Sequence, residues 1–289
     1  MSLNYELIKS RSSGRVVQRY TRKDAILYAL GVGAATENPL APEDLQFVFE
    51  RRCQLLPMFA TVIAGDSRWM ADPNYGLNLN LFLHGEQFLT IHRPLPAEGT
   101  VFGVESVDEV YDKGPDKGAV MYLSRRIHDE KSGELLATTG FSIFMRGHGG
   151  FGGTAEGQPV PYPMPAGRDC DAAVELVTRP EQAVIYRLSG DDNPLHIDPE
   201  VARAAGFDRP ILHGMCSYGV AGRAILKLRC GSDASRLRKL NVRFANPVFP
   251  GETLRTEVWD VEPGKVAFRV KVVERDVIAL NNGYAEFLA

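Results

Sequence analysis

The sequence is poor in cysteine and has no pattern that would link its cysteines to one another or to a metal. The four cysteines, at positions 53, 170, 216 and 230, form neither a Cys-x-x-Cys pair nor a zinc-type spacing. We therefore predict reduced thiols, most of them packed in the interior, as is typical of a cytosolic protein. Neither a disulfide framework nor a metal site is expected.

The sequence also lacks long apolar runs and an excess of charge. No run approaches the roughly 20 apolar residues that span a bilayer. Residues 1–15 contain no apolar segment of a signal peptide, and residues 286–289 form no Ser-Lys-Leu-like peroxisomal address. The 33 basic and 36 acidic residues give a net charge of −3, which attracts neither nucleic acid nor a membrane. We expect a cytoplasmic protein without nucleic-acid or membrane partners, large enough to bury a sizeable core.

A weak internal repeat organises the chain. Three segments of the first half reappear in the second half in the same order, at offsets between 153 and 158 residues: 24–30 as 182–188, 56–60 as 212–216, and 94–100 as 247–253. Chance explains one such match more easily than three in order. The offset is too long for a solenoid and indicates a duplicated domain.

A segment dense in glycine and proline, residues 146–169, separates the two halves. Such a composition cannot build a core and predicts a surface linker. Its glycine run lacks the Lys-Ser/Thr ending of a phosphate-binding loop. We predict an N-terminal domain over 1–150, a linker over 151–169 and a C-terminal domain over 170–289.

Each half contains strand-like segments rich in β-branched and aromatic residues: 100–111, 119–128 and 135–145 in the first, and 253–261, 265–274 and 283–288 in the second. Gly264 and residues 281–283 are predicted turns. Asp198 is a predicted N-cap, and a longer helix is predicted from about His213 to Leu228. A long helix followed by antiparallel strands suggests a sheet wrapped round a central helix. We predict an α+β fold with two such sheets side by side.

The densest polar cluster in an apolar context lies at residues 186–199. Asp191 and His196 flank a turn forced by Gly190 and Pro194, so that both side chains can converge on one point. A carboxylate and an imidazole that hold one water between them suit the hydration of a conjugated thioester, because a proton must leave the water and another must reach Cα. Alternatively, Asp191 and Asn193 make only local turn contacts and His196 is structural.

Gly214 stands at the predicted start of the long helix. Its backbone N–H can approach a ligand closely, with the positive helix terminus behind it. An oxygen that becomes enolate-like on a thioester carbonyl would be stabilised there. Alternatively, Gly214 has the structural role of letting helix and sheet pack closely, and the two roles are compatible.

Two runs carry a family resemblance. Residues 186–196 read Tyr-Arg-Leu-Ser-Gly-Asp-Asp-Asn-Pro-Leu-His, and residues 205–214 read Ala-Gly-Phe-Asp-Arg-Pro-Ile-Leu-His-Gly. Together they resemble the signature of the hydratase 2, or MaoC-like, (R)-specific 2-enoyl-CoA hydratases. Residues 20–33 and 83–87 resemble the N-terminal domain of the two-domain members. The resemblance covers nearly the whole chain and extends to the hydratase part of the peroxisomal multifunctional enzyme of β-oxidation.

The resemblance implies a double hot-dog fold, reversible hydration of trans-2-enoyl-CoA to (3R)-3-hydroxyacyl-CoA, no metal or organic cofactor, and a homodimer. Asp191 and His196 are implied to be the acid–base pair. Asn193 is implied to position water or substrate, and the Gly214 N–H to bind the thioester oxygen.

Four further residues are implied to contact the substrate: Phe244 the thioester, and His84, Gly85 and Lys113 the CoA portion. Lys113 suits a CoA phosphate as a point charge. The sequence departs from the pattern where Asp192 replaces an aromatic residue and where Asn246 replaces a basic one. Asp192 adds a negative charge beside the turn, which puts the pH optimum in doubt.

The first half lacks the Asp/His pair. Residues 31–40, the counterpart of the polar cluster, read Gly-Val-Gly-Ala-Ala-Thr-Glu-Asn-Pro-Leu, and Pro57-Met58 stands where the second half has His213-Gly214. We therefore predict one site per chain, with the first domain free to house an acyl tail of medium to long chain length.

Three other functions compete. An acyl-CoA thioesterase of the same fold could use Asp191 to direct water at the carbonyl. A non-catalytic acyl-CoA-binding module or scaffold would need no acid–base pair. A nucleic-acid binder is suggested only by a group of basic residues: Arg223, Lys227, Arg229, Arg236, Arg238, Lys239 and Arg243. The acidic balance elsewhere argues against the last.

Overall fold

The computed structural model describes residues 3–288. Its first half contains three α-helices and five strands: α1 (Tyr5–Lys9), β1 (Val16–Tyr20), α2 (Arg22–Gly31), α3 (Pro42–Val48), β2 (Phe82–Ile91), β3 (Gly99–Asp112), β4 (Ala119–Asp129) and β5 (Leu135–Met145). Short 3₁₀ helices stand between α3 and β2, at Pro57–Val62, Arg68–Ala71, Pro73–Tyr75 and Leu79–Leu81.

The second half again contains three α-helices and five strands: β6 (Ala172–Val177), α4 (Gln182–Tyr186), α5 (Pro199–Ala204), α6 (Gly214–Arg229), β7 (Leu237–Phe244), β8 (Thr253–Glu262), β9 (Lys265–Val272) and β10 (Val277–Phe287). Its 3₁₀ helices are Arg187–Ser189, Pro194–His196 and Ala234–Arg236. α5 begins as predicted, because the Asp198 carboxylate accepts hydrogen bonds from the backbone N–H groups of Glu200 and Val201.

All ten strands form one antiparallel sheet in the order β1-β3-β4-β5-β2-β7-β10-β9-β8-β6. Counted inwards from the two ends of the sheet, β1 corresponds to β6, β3 to β8, β4 to β9, β5 to β10 and β2 to β7. The two halves are therefore arranged symmetrically about the junction of β2 and β7. There the halves pair from Glu86–Arg243 to Thr90–Lys239. α2 also packs against α4, with the rings of the repeat-related Tyr28 and Tyr186 6.1 Å apart. This arrangement agrees with the repeat in the sequence.

The core of the second half is built on α6. Ten of its sixteen residues are buried, and each large aliphatic side chain among them contributes roughly 1.5–3 kcal/mol of burial free energy. Gly219 and Gly222 bring the first half close to this helix. A Cβ at these positions would lie 2.3 Å from Val32 and 2.5 Å from Met58, respectively.

The first half differs at the position of this helix. Its counterpart, Pro57–Val62, is a 3₁₀ helix of six residues and is followed by irregular chain. The β-branched run Thr61-Val62-Ile63 and then Gly65 disfavour a longer helix. The prediction of a central helix in each sheet therefore needs this correction: in the first half the inner face of β3, β4 and β5 has no long helix against it in the described residues.

Two details of the predicted strands are wrong. Residues 281–283 form no turn but a bulge inside β10, where the pairing with β9 shifts and Asn282 has a φ of +51°. The hairpin turn lies at residues 273–276 instead. The sequence pattern also missed β1, β2, β6 and β7. In β7 the basic residues hid a strand whose buried positions are Leu237, Leu240 and Val242.

The predicted linker has no regular secondary structure between residues 146 and 171, all of which are described. It follows the sheet surface: the Tyr111 hydroxyl donates to the Gly157 carbonyl oxygen at 2.8 Å, and Tyr162 stacks on Tyr284. Among residues 3–288 no helix combines the length and the apolar character needed to cross a membrane.

Several residues of the basic group have acidic or carbonyl partners. Arg223 pairs with Asp44, Arg229 with Asp260, and Lys227 with Glu37. Lys239 pairs with Glu286, and Arg236 donates to the Leu288 carbonyl oxygen. These five of the seven basic side chains are thus already engaged by acidic or carbonyl partners.

Candidate active site

The turn that follows α4 carries the candidate acid–base pair. Gly190 ends a short 3₁₀ helix with a φ of +113°, a conformation that side chains rarely adopt. A second 3₁₀ helix, Pro194–His196, begins with proline and is capped by the Asn193 side chain. These local constraints fold the segment back on itself and turn Asp191 and His196 towards the start of α6.

Asp191 and His196 lie side by side. A carboxylate oxygen of Asp191, a ring nitrogen of His196 and a ring nitrogen of His213 are all within 4.8 Å of one another. Nδ1 of His196 lies 2.9 Å from the Ile211 carbonyl oxygen. Because a carbonyl oxygen only accepts hydrogen bonds, Nδ1 must carry the proton, which leaves a lone pair on Nε2.

His213 is a site residue that the sequence analysis named only as part of a motif. It is fully buried, and its Nε2 donates to the Asp191 backbone carbonyl oxygen at 3.2 Å. Its ring stacks on that of His196, with the centroids 3.8 Å apart. It thus ties the Asp191 turn to the start of α6. Its position directly before Gly214 was the available signal in the sequence.

Asn193 makes a local turn contact and still keeps its amide nitrogen available for a ligand. Its side-chain oxygen accepts a hydrogen bond from the Leu195 N–H at 3.0 Å, which is a local turn contact. Its amide nitrogen has no partner among the described residues, and the side chain lines the cleft described below. The amide N–H₂ therefore remains free to donate to a water or a substrate oxygen.

Gly214 is the first residue of α6, and Phe244 lies against it. A Cβ on Gly214 would come within 3.1 Å of the Phe244 ring, so the close-packing explanation for glycine holds. Within residues 3–288 no side chain caps this helix, and the first N–H groups of a helix have no intrahelical partner. The Gly214 N–H is thus also free at the positive end of a sixteen-residue helix.

The first half contributes His84 and Gly85 at the start of β2. The pairing with β5 shifts between His84 and Glu86, and a Cβ on Gly85 would lie 2.7 Å from the Ser142 hydroxyl oxygen. Glycine thus permits the bulge that redirects the strand. The His84 ring packs against Phe244, with the centroids 4.6 Å apart, and therefore reaches the second half.

Lys113 does not line the cleft. It lies in the loop between β3 and β4, where its backbone N–H donates to the Gly118 carbonyl oxygen at 3.0 Å. Ala119 of β4 pairs with Met145 of β5, which pairs with Phe82 of β2, so this loop lies at the same end of the strands as the start of β2. Lys113 is thus near the end of β2 that carries His84, outside the cleft that Asp191 lines. Asn246, the other departure, donates to the Ile278 carbonyl oxygen.

One cleft of about 550 Å³ connects the two halves at this point. Its wall in the second half is the Asp191 turn with Tyr186 and Met215, and the wall in the first half includes His84, Gln87, Glu105, Arg125, Phe141 and Ile143. The cleft therefore extends from the Asp191 turn into the region where the first half has no central helix.

Burial sets the charge state of the site histidines. Desolvation lowers the pKa of His196, although the bond to Ile211 and the Asp191 charge oppose this shift. Desolvation, and then the neighbouring His196, lower the pKa of His213. Both imidazoles are consequently neutral near pH 7.

Asp191, His196 and His213 form the one group in the described residues with three close metal-ligand atoms. The two imidazole rings are stacked at an interplanar angle of 29°. Because imidazole lone pairs lie in the ring plane, those of stacked rings do not converge on one ion. The group is better suited to hold a water molecule between Asp191 and His196.

The arrangement can perform acid–base chemistry on a bound carbonyl compound. A carboxylate and a neutral imidazole with a free lone pair face the same space, and both accept protons. A free helix N–H lies beside them, where it can bind an oxygen that gains negative charge. The cleft supplies room for a substrate of considerable length.

Two family models match the chain. The MaoC like domain matches residues 163–282, and the MFE-2 hydratase 2 N-terminal domain matches residues 18–147. The chain is 42% identical to the 3-hydroxyacyl-thioester dehydratase Y of Mycobacterium tuberculosis over 93% of each chain. It is 38% identical to the peroxisomal enoyl-CoA hydratase 2 of Arabidopsis thaliana, over 98% of this chain and 95% of that protein.

Solved structures show the same fold. The crystal structure of a MaoC-like dehydratase from Phytophthora capsici superposes with a TM-score of 0.86 at 37% identity, with 98% of each chain covered. A Mycobacterium tuberculosis protein described as having a double hotdog fold superposes with a TM-score of 0.60 at 14% identity and bears on the fold alone. The predicted double hot-dog α+β fold is confirmed.

Proposed function

Because the chain belongs to the MaoC-like and hydratase 2 family of hydro-lyases, we propose that it catalyses the reversible hydration of trans-2-enoyl-CoA to (3R)-3-hydroxyacyl-CoA. The observation that carries the proposal is the convergence of Asp191 and His196 beside a free helix N-terminus, with Asp191 lining the cleft between the halves. The names of two relatives contain this activity or its reverse on thioesters.

In the proposed reaction, Asp191 and Nε2 of His196 hold one water, with Asn193 as an additional donor. The water oxygen attacks Cβ while the pair takes up one of its protons, and the pair returns one proton to Cα. The enzyme is thus unchanged, and the product has gained the hydroxyl at Cβ and the hydrogen at Cα. The Gly214 N–H binds the thioester oxygen while negative charge develops there.

The substrate would enter across the junction of the halves. Phe244 and His84 form the wall beside the thioester, with Gly85 at the bulge that places His84. The CoA portion would continue along the start of β2 towards the β3–β4 loop, where the Lys113 ammonium meets a phosphate. The first-half part of the cleft would take an acyl tail of medium to long chain length.

The test is the loss of enoyl-thioester absorbance when the protein meets trans-2-decenoyl-CoA, followed by chiral analysis of the alcohol. Asp191→Asn and His196→Ala should each lower kcat by roughly 10²–10⁴-fold, the usual contribution of a general acid or base. The exposed Asp169 and His92 provide the matched controls Asp169→Asn and His92→Ala, which should keep full activity.

Two outcomes would contradict the proposal. Release of free thiol without hydration would identify a thioesterase, in which the same pair directs water to the carbonyl. Tight binding of the substrate with neither reaction would identify a non-catalytic binding module. The homodimer, the cytoplasmic location and the independence from cofactors stay predictions.

A further inference from the structure

A row of polar side chains crosses the inner face of the first-half sheet. Glu105 and Arg125 face each other across β3 and β4, and Arg125 faces Thr139 across β4 and β5. Gln87 of β2 completes the row by donating to the Thr139 hydroxyl oxygen at 2.8 Å. We call these four residues the polar row. All are at least nine-tenths buried.

The polar row interrupts an otherwise apolar surface. On one side, Val101 and Ile127 belong to the main core; on the other, Val107 and Leu123 belong to a second apolar cluster. Inward positions of a strand recur every second residue, and Glu105 and Arg125 occupy such positions in β3 and β4. Charged residues are seldom placed there unless they are paired or functional.

Folding explains part of this arrangement. Glu105 and Arg125 form an ion pair with an N–O distance of 3.3 Å, and the Arg125 guanidinium also donates to the Ile63 carbonyl oxygen. A buried pair of this kind is often no more stable than an apolar pair of the same size, because both ions must be desolvated. Stability alone is therefore a weak reason for this pair.

The pair leaves two polar atoms poorly satisfied. Within the described residues, Oε1 of Glu105 has no hydrogen-bond partner, and Nε of Arg125 lies 3.3 Å from Oε2 of Glu105 without hydrogen-bond geometry, although both atoms are buried. Buried polar atoms nearly always have a partner, so each exception calls for an explanation. Both residues line the same cleft as Asp191. Rotation about the last torsion of a glutamate is soft, so the carboxylate can reorient towards a ligand.

We propose that this part of the cleft is a subsite for an acyl chain that carries a hydroxyl group remote from the reacting double bond. A hydroxyl group is both a donor and an acceptor, so it can donate to Glu105 and accept from Arg125. A ketone or an ether could only accept, and an unsubstituted chain could do neither. The inference rests on the proposed function and names the substrate class of the same site.

The test compares trans-2-enoyl-CoA substrates of 10 and 12 carbons with and without one hydroxyl group, placed at successive carbons from C6 to the chain end. In the wild-type protein, at least one position should match or exceed the kcat/KM of the unsubstituted chain. The corresponding ketone should be at least tenfold poorer than that alcohol. If every hydroxylated substrate is poorer than the plain chain by tenfold or more, the proposal is overturned.

Variants locate the effect. Glu105→Gln should lower the ratio of alcohol to plain-chain kcat/KM several-fold. The double substitution Glu105→Leu with Arg125→Met should reverse the preference in favour of the plain chain. Glu109→Gln removes a carboxylate from the same strand outside the cleft, where it pairs with Lys9, and should leave the ratio unchanged. An unchanged ratio in Glu105→Gln and the double variant would contradict the proposal.

Failure of the subsite and failure of the proposed reaction remain distinguishable. Calorimetric titration with saturated acyl-CoA pairs, with and without the hydroxyl group, measures the preference without any hydration. Tighter binding of the alcohol, lost in Glu105→Gln, supports the subsite even if no enoyl-CoA is hydrated. Equal or weaker binding of every alcohol contradicts it even if hydration is rapid.

Discussion

The two halves share a strand order but differ at two matched places. In the second half, the turn after α4 carries Asp191 and His196, and α6 fills the inner face of the sheet. In the first half, residues 31–40 carry no such pair, and a six-residue 3₁₀ helix stands where α6 would be. The same fold can thus use its inner face for a helix or for a cleft, and here the two uses are combined in one chain.

Among substitutions outside the Asp191–His196 pair, the largest effect is expected from filling the first-half part of the cleft. Val62 lies in the short 3₁₀ helix and lines this part of the cleft, so the substitution Val62→Phe would fill it. Overpacking of this kind costs about 1–3 kcal/mol, so kcat/KM for trans-2-decenoyl-CoA should fall roughly 10- to 100-fold. Crotonyl-CoA, which does not reach this region, should be turned over as before.

A matched control is available on β1, where Val17 is 55% exposed. Val17→Phe adds the same atoms away from the cleft and should change neither substrate. If Val62→Phe affects both substrates equally, or if the wild-type protein turns over crotonyl-CoA as well as decenoyl-CoA, the first half does not house the acyl tail.

The second prediction concerns His213, the buried histidine beside Asp191 and His196. Desolvation lowers the pKa of His213 in the folded protein, so below its usual pKa of about 6.5 the unfolded chain binds a proton that the folded chain does not. Stability therefore rises with pH in this range and is lost as the pH falls. Between pH 6.5 and 5 the loss from one such group is at most about 2 kcal/mol.

Urea unfolding of His213→Phe at pH 6.5 and pH 5 tests this linkage. The variant should lose less stability on acidification than the wild-type protein, and its kcat should fall roughly tenfold because the bond to the Asp191 carbonyl oxygen is gone. His128→Phe, at a partly exposed position of β4, should do neither. A variant with wild-type pH dependence and wild-type kcat would show that His213 does not support the turn.

The sequence predicted the parts of this comparison that depend on local patterns. β3, β4, β5, β8 and β9 lie where β-branched and aromatic residues cluster, and α6 begins one residue after its predicted start. The strands at the junction, β2 and β7, were missed for different reasons. Basic residues obscure the period of two in β7, and the bulge between His84 and Glu86 interrupts it in β2.

The sequence indicated which residues form the candidate site but not how they are arranged in space. The spacing of Asp191 and His196 around a proline turn indicated their convergence, and the structure brings them together. The contact between His84 and Phe244 joins residues far apart in sequence. The family resemblance implied a substrate contact for each of them but not that they touch. The sequence did contain a signal for the polar row, namely charged residues at inward-facing positions of the predicted strands.

The third prediction addresses the contribution of the first half to CoA binding. Lys113 is partly exposed in the β3–β4 loop, and an ion pair at such a position contributes about 0.2–1 kcal/mol. Lys113→Ala should therefore raise KM up to about fivefold with kcat unchanged. The effect should shrink at high salt because screening weakens exposed pairs. Lys113→Arg should retain the wild-type KM, and a fall in kcat in either variant would place the residue elsewhere in the mechanism.

The smallest effect is expected at Asp192, the charged residue that follows Asp191 in the candidate-site turn. Its carboxylate is exposed, and a nearby negative charge favours the protonated form of His196. Asp192→Asn should therefore move the acidic limb of the kcat/KM profile slightly to lower pH at low ionic strength and change the maximum less than about threefold. Asp208→Asn, at another exposed position, should leave the limb in place. A shift to higher pH, or a tenfold loss at the optimum, would mean that Asp192 takes part in the chemistry, and the contrast between the halves would then extend beyond the Asp191–His196 pair.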